Sequence, residues 1–198
     1  MRITLILAHP KTGSFNHAIA AVARDQLHSS GHRVDYHDLY AEGFDPLLRP
    51  AELDPGSPIP SDVRGYCAEV AAADGIVVVH PNWWGQPPAI LKGWVDRVLR
   101  MGVAYRFAEG DNGEGVPVGL LRAKAAVVFN TSNTAAEREE AAFGDPLGGL
   151  WRRCILEFCG VRAVDRRTYA VVITSSPEER QRWLADARAT VAARFGRA

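Results

Sequence analysis

Five short apolar runs alternate with amphipathic segments, and this alternation restricts the fold more than any other feature. The runs predict strands at Arg2–Ala8, His32–Asp38, Gly75–His80, Ala123–Asn130 and Val164–Ile173. The segments between them predict helices from Ser14 to about Ser29, from Ser61 to about Ala73, and over Ala89–Leu99, Leu147–Phe158 and Ser176–Phe195. Strands separated by helices predict a parallel α/β sheet with right-handed crossovers and helices on both faces.

The remaining segments are expected to be loops. Leu39–Pro60 is rich in Pro, Gly and Asp, residues 100–122 have a glycine-rich centre at Glu109–Gly115, and residues 131–146 are polar. A chain of 198 residues is long enough to bury a full core, so we expect residues 1–198 to form one domain.

Charge and cysteine content narrow the possible partners. The chain has 23 Lys plus Arg and 23 Asp plus Glu, so its net charge is zero. Proteins that bind nucleic acid or a membrane surface usually have a basic excess, and we therefore expect neither partner. The N-terminus enters the first strand without a cleavage signal, and no apolar stretch is long enough to span a membrane. The spacing of Cys67, Cys154 and Cys159 matches neither a zinc site nor a redox Cys-x-x-Cys pair, so we expect no metal. We expect these cysteines to be buried, reduced thiols of a cytoplasmic protein.

The turn after the first strand indicates the strand order. A dinucleotide-binding sheet would have a G-x-G-x-x-G turn there, but residues 9–16 read HPKTGSFN. We therefore predict the flavodoxin-like order 2-1-3-4-5, with a ligand at the carboxyl ends of the strands. Three segments should meet at that edge, and they are residues 9–16, 81–88 and 130–134.

The first of these segments is suited to a phosphate group. Thr12, Ser14 and Asn16 can donate hydrogen bonds, His9 can add another donor, and a helix N-terminus favours an anion. The alternative is that Ser14 only caps the helix and His9 only closes the turn.

The second segment carries Trp83 and Trp84 in a loop of Pro and Gly. Adjacent side chains point in different directions, so at least one indole should lie near the surface. A flat aromatic ligand would explain that exposure, and so would a subunit interface. The two explanations agree if the ligand lies at a dimer interface.

The third segment, residues 130–134, places five consecutive hydrogen-bonding side chains at the end of a strand. It could receive the polar edge of a flavin, or it could be a polar loop that caps the next helix.

Several stretches of the chain resemble a known family. They are His9-Pro10, Ser14–Asn16, Asp38–Ala41, Phe44–Pro46, Phe158–Gly160 and, most specifically, the PAILKGW run of residues 88–94. These stretches are similar to the NAD(P)H:quinone oxidoreductase family, the DT-diaphorase-like group with a flavodoxin-like fold. The resemblance extends over nearly the whole chain.

The resemblance implies a bound flavin, two-electron ping-pong hydride transfer from NAD(P)H to a quinone or similar acceptor, and a homodimer with the flavin at its interface. The residues that match the family's flavin site are His9, Ser14, Phe15, Asn16, Pro81, Asn82, Trp83, Trp84, Gly85, Asn130, Thr131, Ser132 and Asn133. Lys92-Gly93-Trp94 is expected to be structural, with Lys92 in solvent.

One departure from the family concerns the reduced flavin. In mammalian members a Tyr and a His after the fourth strand stabilise the charge of the reduced flavin. The corresponding residues 135–143 of this chain include neither a Tyr nor a His, and Phe143 lies near the His position. The chain thus offers no certain catalytic side chain, and Thr131 and Ser132 are the candidates for stabilising the flavin edge.

Alternatives remain for the function and the cofactor. Some relatives are ancillary subunits of potassium-efflux systems, so a regulatory subunit of this kind is the alternative function. A one-electron flavodoxin carrier is less consistent with the sequence, because such carriers are usually strongly acidic and this chain has no net charge. The Ser14–Asn16 loop resembles members that bind FAD, with FMN as the alternative. Arg180 could lie near an adenine or simply be an exposed charge on the last helix.

Overall fold

The computed structural model describes residues 1–54, 56–108, 115 and 117–196, and a five-stranded parallel sheet forms its centre. In chain order the strands are β1 (Arg2–Leu7), β2 (Arg33–Asp38), β3 (Gly75–Pro81), β4 (Tyr105–Arg106), β5 (Val118–Gly119), β6 (Ala125–Ser132) and β7 (Ala163–Ala170). The sheet has the order β2-β1-β3-β6-β7, and β4 and β5 form a separate antiparallel pair. Since β6 and β7 are the fourth and fifth strands of the sheet, the predicted order 2-1-3-4-5 is confirmed.

Helices cover both faces of the sheet. They are α1 (Phe15–Ser29), α2 (Arg64–Ala72), α3 (Ala89–Val98), α4 (Ala136–Phe143), α5 (Pro146–Gly149), a π-helix (Leu150–Glu157) and α6 (Pro177–Phe195). Two short 3₁₀ turns lie at Pro50–Glu52 and Val172–Thr174. The predicted centre at Glu109–Gly115 falls outside the described residues except for Gly115.

The two faces of the sheet bury separate apolar clusters because successive side chains on a strand point to opposite faces. Leu5 and Leu7 pack with Ile19 of α1 and Val191 of α6 on one face. The opposite face packs against Val70 of α2, Trp94 of α3 and Trp151 of the π-helix. All residues of β3 are buried, as its unbroken apolar run predicts.

Helix α3 carries the most specific motif of the sequence, and its role is structural as expected. Trp94 is buried, whereas Lys92 is exposed and pairs with Asp96 one turn later. A Cβ atom at Gly93 would overlap Pro46, so only glycine lets the 39–60 loop lie this close to the helix.

A buried arginine, which the sequence analysis did not identify, fastens that loop. Arg97 of α3 is 0% exposed, and its guanidinium donates to Glu52, Asp62 and the backbone carbonyl of Asp45. A buried charge is tolerated only where it is paired and hydrogen-bonded. Arg97 therefore holds the long polar loop against α3.

The structure differs from the predicted elements in several places, among them the short pair β4 and β5 within the segment 100–122 that was expected to be a loop. Helix α4 lies in a segment expected to have no helix or strand, because its sequence AEREEAAF has no apolar face and none of its residues is buried. The helix expected over Leu147–Phe158 starts at Pro146 as α5 and continues as the π-helix. Strand β7 ends at Ala170 and is followed by the 3₁₀ turn rather than reaching Ile173.

The cysteine prediction holds for two residues and fails for the third. Cys67 and Cys159 are buried, and burial raises the pKa of each thiol to about 11. Cys154 is exposed because it lies on the outer side of the π-helix. Within the described part of the chain, no helix combines the length and apolarity needed to cross a membrane.

Candidate functional site

A cavity of about 940 Å³ opens at the carboxyl ends of β1, β3 and β6. Its volume lies in the range of small-molecule and cofactor sites, about 300–1,000 Å³. All three segments singled out from the sequence contribute to its wall. The predicted residues that line it are His9, Ser14, Phe15, Asn16, Pro81, Asn82, Trp83, Trp84, Gly85, Thr131, Ser132 and Asn133.

The N-terminus of α1 opens into this cavity. Ser14 is the N-cap residue, but its side chain makes no capping hydrogen bond and lies 2.8 Å from Nδ1 of His17 instead. The first backbone N–H groups of α1 consequently lack the side-chain acceptor that a capping serine usually supplies. Burial lowers the pKa of His9, whose Nδ1 accepts a hydrogen bond from the backbone N–H of Lys11, so His9 is neutral near pH 7.

Asn16 links the start of α1 to the end of β6. Its Nδ2 donates to Oγ1 of Thr131 over 2.9 Å. Its Oδ1 atom is buried and has no hydrogen-bond partner among the described residues, and Asn16 is only 3% exposed. A buried acceptor without a partner in the wall of a cavity indicates a ligand that donates a hydrogen bond there. Ribityl hydroxyls and the ring N–H of a flavin are donors of this kind.

The 81–88 loop forms an aromatic wall, with Trp84 fully exposed and Trp83 partly exposed. The prediction that at least one indole lies near the surface is therefore confirmed. Asn82 holds the loop, since its Oδ1 accepts from the backbone N–H of Gly85 and its Nδ2 donates to Glu139 of α4, both over 2.9 Å.

Gly85 allows the loop to turn against α5. Its φ is +70°, a conformation that residues with a Cβ rarely adopt. A Cβ atom there would also lie 2.7 Å from Cγ of Pro146. The aromatic wall thus rests directly on the first residue of α5.

The end of β6 separates its polar side chains onto two faces. Thr131, Ser132 and Asn133 line the cavity, whereas Asn130 does not. Because residues alternate along a strand, Asn130 points to the face of Trp151, and Thr131 points to the face of α1. Thr12 is exposed and also lies outside the cavity wall.

Asn130 belongs instead to a buried network beneath the aromatic wall. Its Nδ2 donates to Nε2 of His80 over 2.8 Å, and its Oδ1 accepts from Arg166 over 3.0 Å. Arg166 also forms an ion pair with Asp145, the residue before Pro146. The network therefore connects the centre of the sheet to the turn that supports Gly85.

Four residues of the cavity wall were not expected from the sequence, and they are Arg138, Glu139, Pro146 and Val172. The first two belong to α4, whose sequence gave no apolar periodicity by which to find it. Phe143 of α4, which we had placed near the family's His position, also lines the cavity.

Arg180 lines the cavity at the side of α1 and α6. Its Nε donates to Oγ of Ser175 over 2.8 Å, and its Nη2 donates to the carbonyl of Val172 over 3.0 Å. Its guanidinium carbon lies 6.0 Å from the centre of the Phe15 ring. Arg180 is therefore held in the wall and is more than an exposed helix charge.

Comparisons with known proteins agree with this architecture. A family model described as having a flavodoxin-like fold matches residues 1–195. An uncharacterized NAD(P)H oxidoreductase of Haemophilus influenzae is 34% identical over 169 residues, which cover 83% of this chain and 81% of that protein. The mouse ribosyldihydronicotinamide dehydrogenase [quinone] is 30% identical over 208 residues, covering 93% and 87%.

A solved structure extends the similarity to three dimensions. The NAD(P)H:quinone oxidoreductase of Methanothermobacter marburgensis matches with a TM-score of 0.80 and 27% identity, covering 96% of this chain and 95% of that one. The relatedness inferred from the PAILKGW run and the turn after β1 is thereby confirmed. The chain belongs to the NAD(P)H:quinone oxidoreductase family, a family of oxidoreductases with a flavodoxin-like fold.

Proposed function

We propose that this protein is a flavin-dependent oxidoreductase that takes a hydride from NAD(P)H and passes two electrons, in a second half-reaction, to a quinone or similar acceptor. The observation that carries the proposal is the unpartnered, buried Oδ1 of Asn16, set in a cavity between a free helix N-terminus and two exposed indoles. A bound flavin would supply the hydride chemistry, and the protein would bind and orient it.

Each part of the cavity wall suits one part of a flavin. The N-terminus of α1 and Ser14 suit phosphate oxygens, because free N–H groups and the helix dipole favour an anion. Trp83 and Trp84 offer aromatic surface for the ring system. The hydroxyl groups of Thr131 and Ser132 lie at the end of β6, where they can bond the polar edge of the rings.

We propose FAD rather than FMN as the cofactor. The cavity continues past Ser14 to Phe15, Val172 and Arg180, which leaves room beyond the first phosphate. Arg180 is oriented by two hydrogen bonds, so its guanidinium is available to a second phosphate or to an adenine without losing its position. Mass spectrometry of the cofactor released from purified protein distinguishes the two flavins.

We also propose that the protein works in the cytoplasm as a homodimer with the flavin at the interface. Trp84 and Phe143 are large apolar side chains that are exposed at the cavity rim, and a second subunit would cover them. Sedimentation of the loaded protein tests this proposal, since a monomer at micromolar concentration would contradict it. We do not propose the ancillary-subunit alternative, because no feature of the described residues favours it.

The main proposal has a direct test. Purified protein should be yellow, or should become so with added FAD or FMN, and should oxidise NADH or NADPH in the presence of benzoquinone. The Asn16→Leu variant, which fills the volume but offers no acceptor, should bind flavin more weakly. Protein that stays colourless with both flavins would refute the proposal.

A further inference from the structure

A chain of hydrogen bonds runs behind the N-terminus of α1. Oγ of Ser14 lies 2.8 Å from Nδ1 of His17, and Nε2 of His17 lies 3.1 Å from Oδ2 of Asp38 at the end of β2. His17 and Asp38 are partly buried, with side chains 19% and 14% exposed. Ser14 faces the cavity, whereas His17 and Asp38 stand behind it.

The direction of these hydrogen bonds depends on the charge of His17. A carboxylate can only accept, so Nε2 of His17 carries the hydrogen that is donated to Asp38. When His17 is neutral, its Nδ1 has no hydrogen, and the Ser14 hydroxyl must donate to it. When His17 is protonated, Nδ1 donates to Ser14, and the serine hydrogen becomes free to point into the cavity.

A phosphate ligand would distinguish these two states. Phosphate oxygens are acceptors, so a serine that has given its hydrogen to His17 presents only lone pairs to them. A serine that accepts from protonated His17 can donate to the phosphate. Two residues further along the same turn, the buried Oδ1 of Asn16 has no partner in the described part of the chain, which independently indicates a ligand at this wall.

We propose that His17 is a positioning residue for the flavin phosphate: by taking up a proton it makes the Ser14 hydroxyl a donor to the phosphate, and Asp38 stabilises the resulting imidazolium. The inference rests on the proposed function, since it presumes that the cavity binds a flavin phosphate. Binding of the phosphate and binding of one proton then favour each other.

Other charged groups surround His17. The His9 ring lies 6.2 Å from the His17 ring, and Lys11 follows it in the turn after β1. On the side of β2, Tyr36 lies near Asp38, Arg24 and Glu42. His9 is the other imidazole of the group, and burial lowers its pKa below that of an ordinary histidine.

The test measures flavin affinity against pH with the full chain freed of flavin. FAD is the probe, because its pyrophosphate does not titrate near neutrality, whereas the FMN phosphate changes charge at about pH 6. As the pH rises through the range in which histidine side chains lose their proton, the affinity for FAD should fall several-fold, and by at most tenfold per pH unit. Riboflavin, which has no phosphate, should show no such fall.

Variants assign the effect to one side chain. His17→Phe and Ser14→Ala should bind FAD with a pH-independent affinity, close to that of the unmodified protein at high pH. His28→Phe changes an exposed histidine in the last turn of the same helix and should retain the full pH dependence. His9→Asn should also retain it, whatever its effect on the affinity itself.

The outcomes separate this inference from the proposed function. Absence of FAD and riboflavin binding at every pH would refute both. FAD binding with no pH dependence, an equal dependence for riboflavin, or a dependence that survives in His17→Phe would overturn the role of His17 and leave the flavin proposal intact. A dependence that disappears in His9→Asn alone would assign the proton to His9 and also overturn it.

Discussion

The indole nitrogen of Trp151 lies 2.8 Å from Nε2 of the fully buried His80. Asn130 donates to the same nitrogen, and Nδ1 of His80 lies 2.8 Å from the carbonyl of Pro81. Two donors to Nε2 require that nitrogen to be unprotonated, so Nδ1 carries the hydrogen and donates to Pro81. His80 is therefore a neutral tautomer that connects the π-helix, β6 and the first residue of the aromatic loop.

The neutral state of His80 predicts a loss of stability in acid. Burial lowers its pKa to about 4, so between about pH 6.5 and pH 4 the unfolded chain binds a proton that the folded chain does not. Stability should then fall by about 2 kcal/mol from pH 7 to pH 5 through this residue. Urea unfolding at both pH values measures it.

The control for His80 is His80→Gln, whose side-chain oxygen can accept the same two hydrogen bonds without titrating. This variant should lose about 2 kcal/mol less than the unmodified protein over that interval. Equal losses in the two proteins would mean that His80 does not titrate as the burial of its ring implies.

Removing the ion pair beneath the aromatic wall should weaken flavin binding. In Arg166→Met, Asp145 loses its partner and Asn130 loses a donor, so the turn at Pro146 no longer holds Gly85 in place. We expect the flavin affinity to fall about tenfold, equal to ~1.4 kcal/mol. Fluorescence titration with FAD measures the change.

The neighbouring Arg167 supplies the control for that experiment. Its side chain is about half exposed, and its closest carboxylate, on Asp186, is 3.7 Å away. Arg167→Met should bind flavin like the unmodified protein, since exposed ion pairs contribute only ~0–1 kcal/mol. Equal affinities in both variants would show that Arg166 does not support the aromatic wall.

Substitution of Gly85 should disturb the same loop. Gly85→Ala places a Cβ against Pro146 and strains a backbone with φ of +70°. Gly43→Ala is the matched control, because Gly43 has φ of +63° but open space around a Cβ. Both should lose ~1–2 kcal/mol of stability from the left-handed backbone, and only Gly85→Ala should also bind flavin more weakly. Thermal unfolding measures the cost of the backbone strain, which both variants share, and flavin titration detects the effect of the contact with Pro146, which only Gly85→Ala makes.

Arg97 should matter for stability and little for the cavity, which lies on another part of the molecule. Arg97→Met leaves the buried Glu52 without its main partner and should cost about 3–5 kcal/mol. Lys92→Met, in the same helix, removes only an exposed pair with Asp96 and should cost less than about 0.5 kcal/mol. Chemical denaturation compares them, and a cost below 1 kcal/mol for Arg97→Met would contradict its role in holding the loop.

The sheet and its order could be predicted because the signals for them are local. The unbroken apolar run of β3 marks a central strand, and the HPKTGSFN turn excludes the dinucleotide-binding alternative. In a parallel sheet the carboxyl ends of β1, β3 and β6 lie at the same edge, and the observed cavity lies there. Periodicity and turn chemistry act within a few residues, so they can be recognised along the chain.

The remaining features depend on residues that are distant in the sequence. Asn130 and Thr131 are neighbours, and both have polar side chains. The pleat of β6 nevertheless directs Asn130 into the His80 network and Thr131 towards Asn16 and the cavity. Helix α4 has no apolar face, and it becomes part of the wall through the contact between Glu139 and Asn82.

The order of strands, the edge of the sheet where the cavity lies and the aromatic loop thus follow from local pattern, since each depends on side chains that are close together in the chain. The partners of Asn16, Asn130 and Arg166 follow from folding, because a hydrogen bond between residues dozens of positions apart leaves no periodic trace. The cavity accordingly lies at the edge of the sheet where a ligand was predicted, while the buried side chains that support its wall emerged only when the strands and helices were packed together.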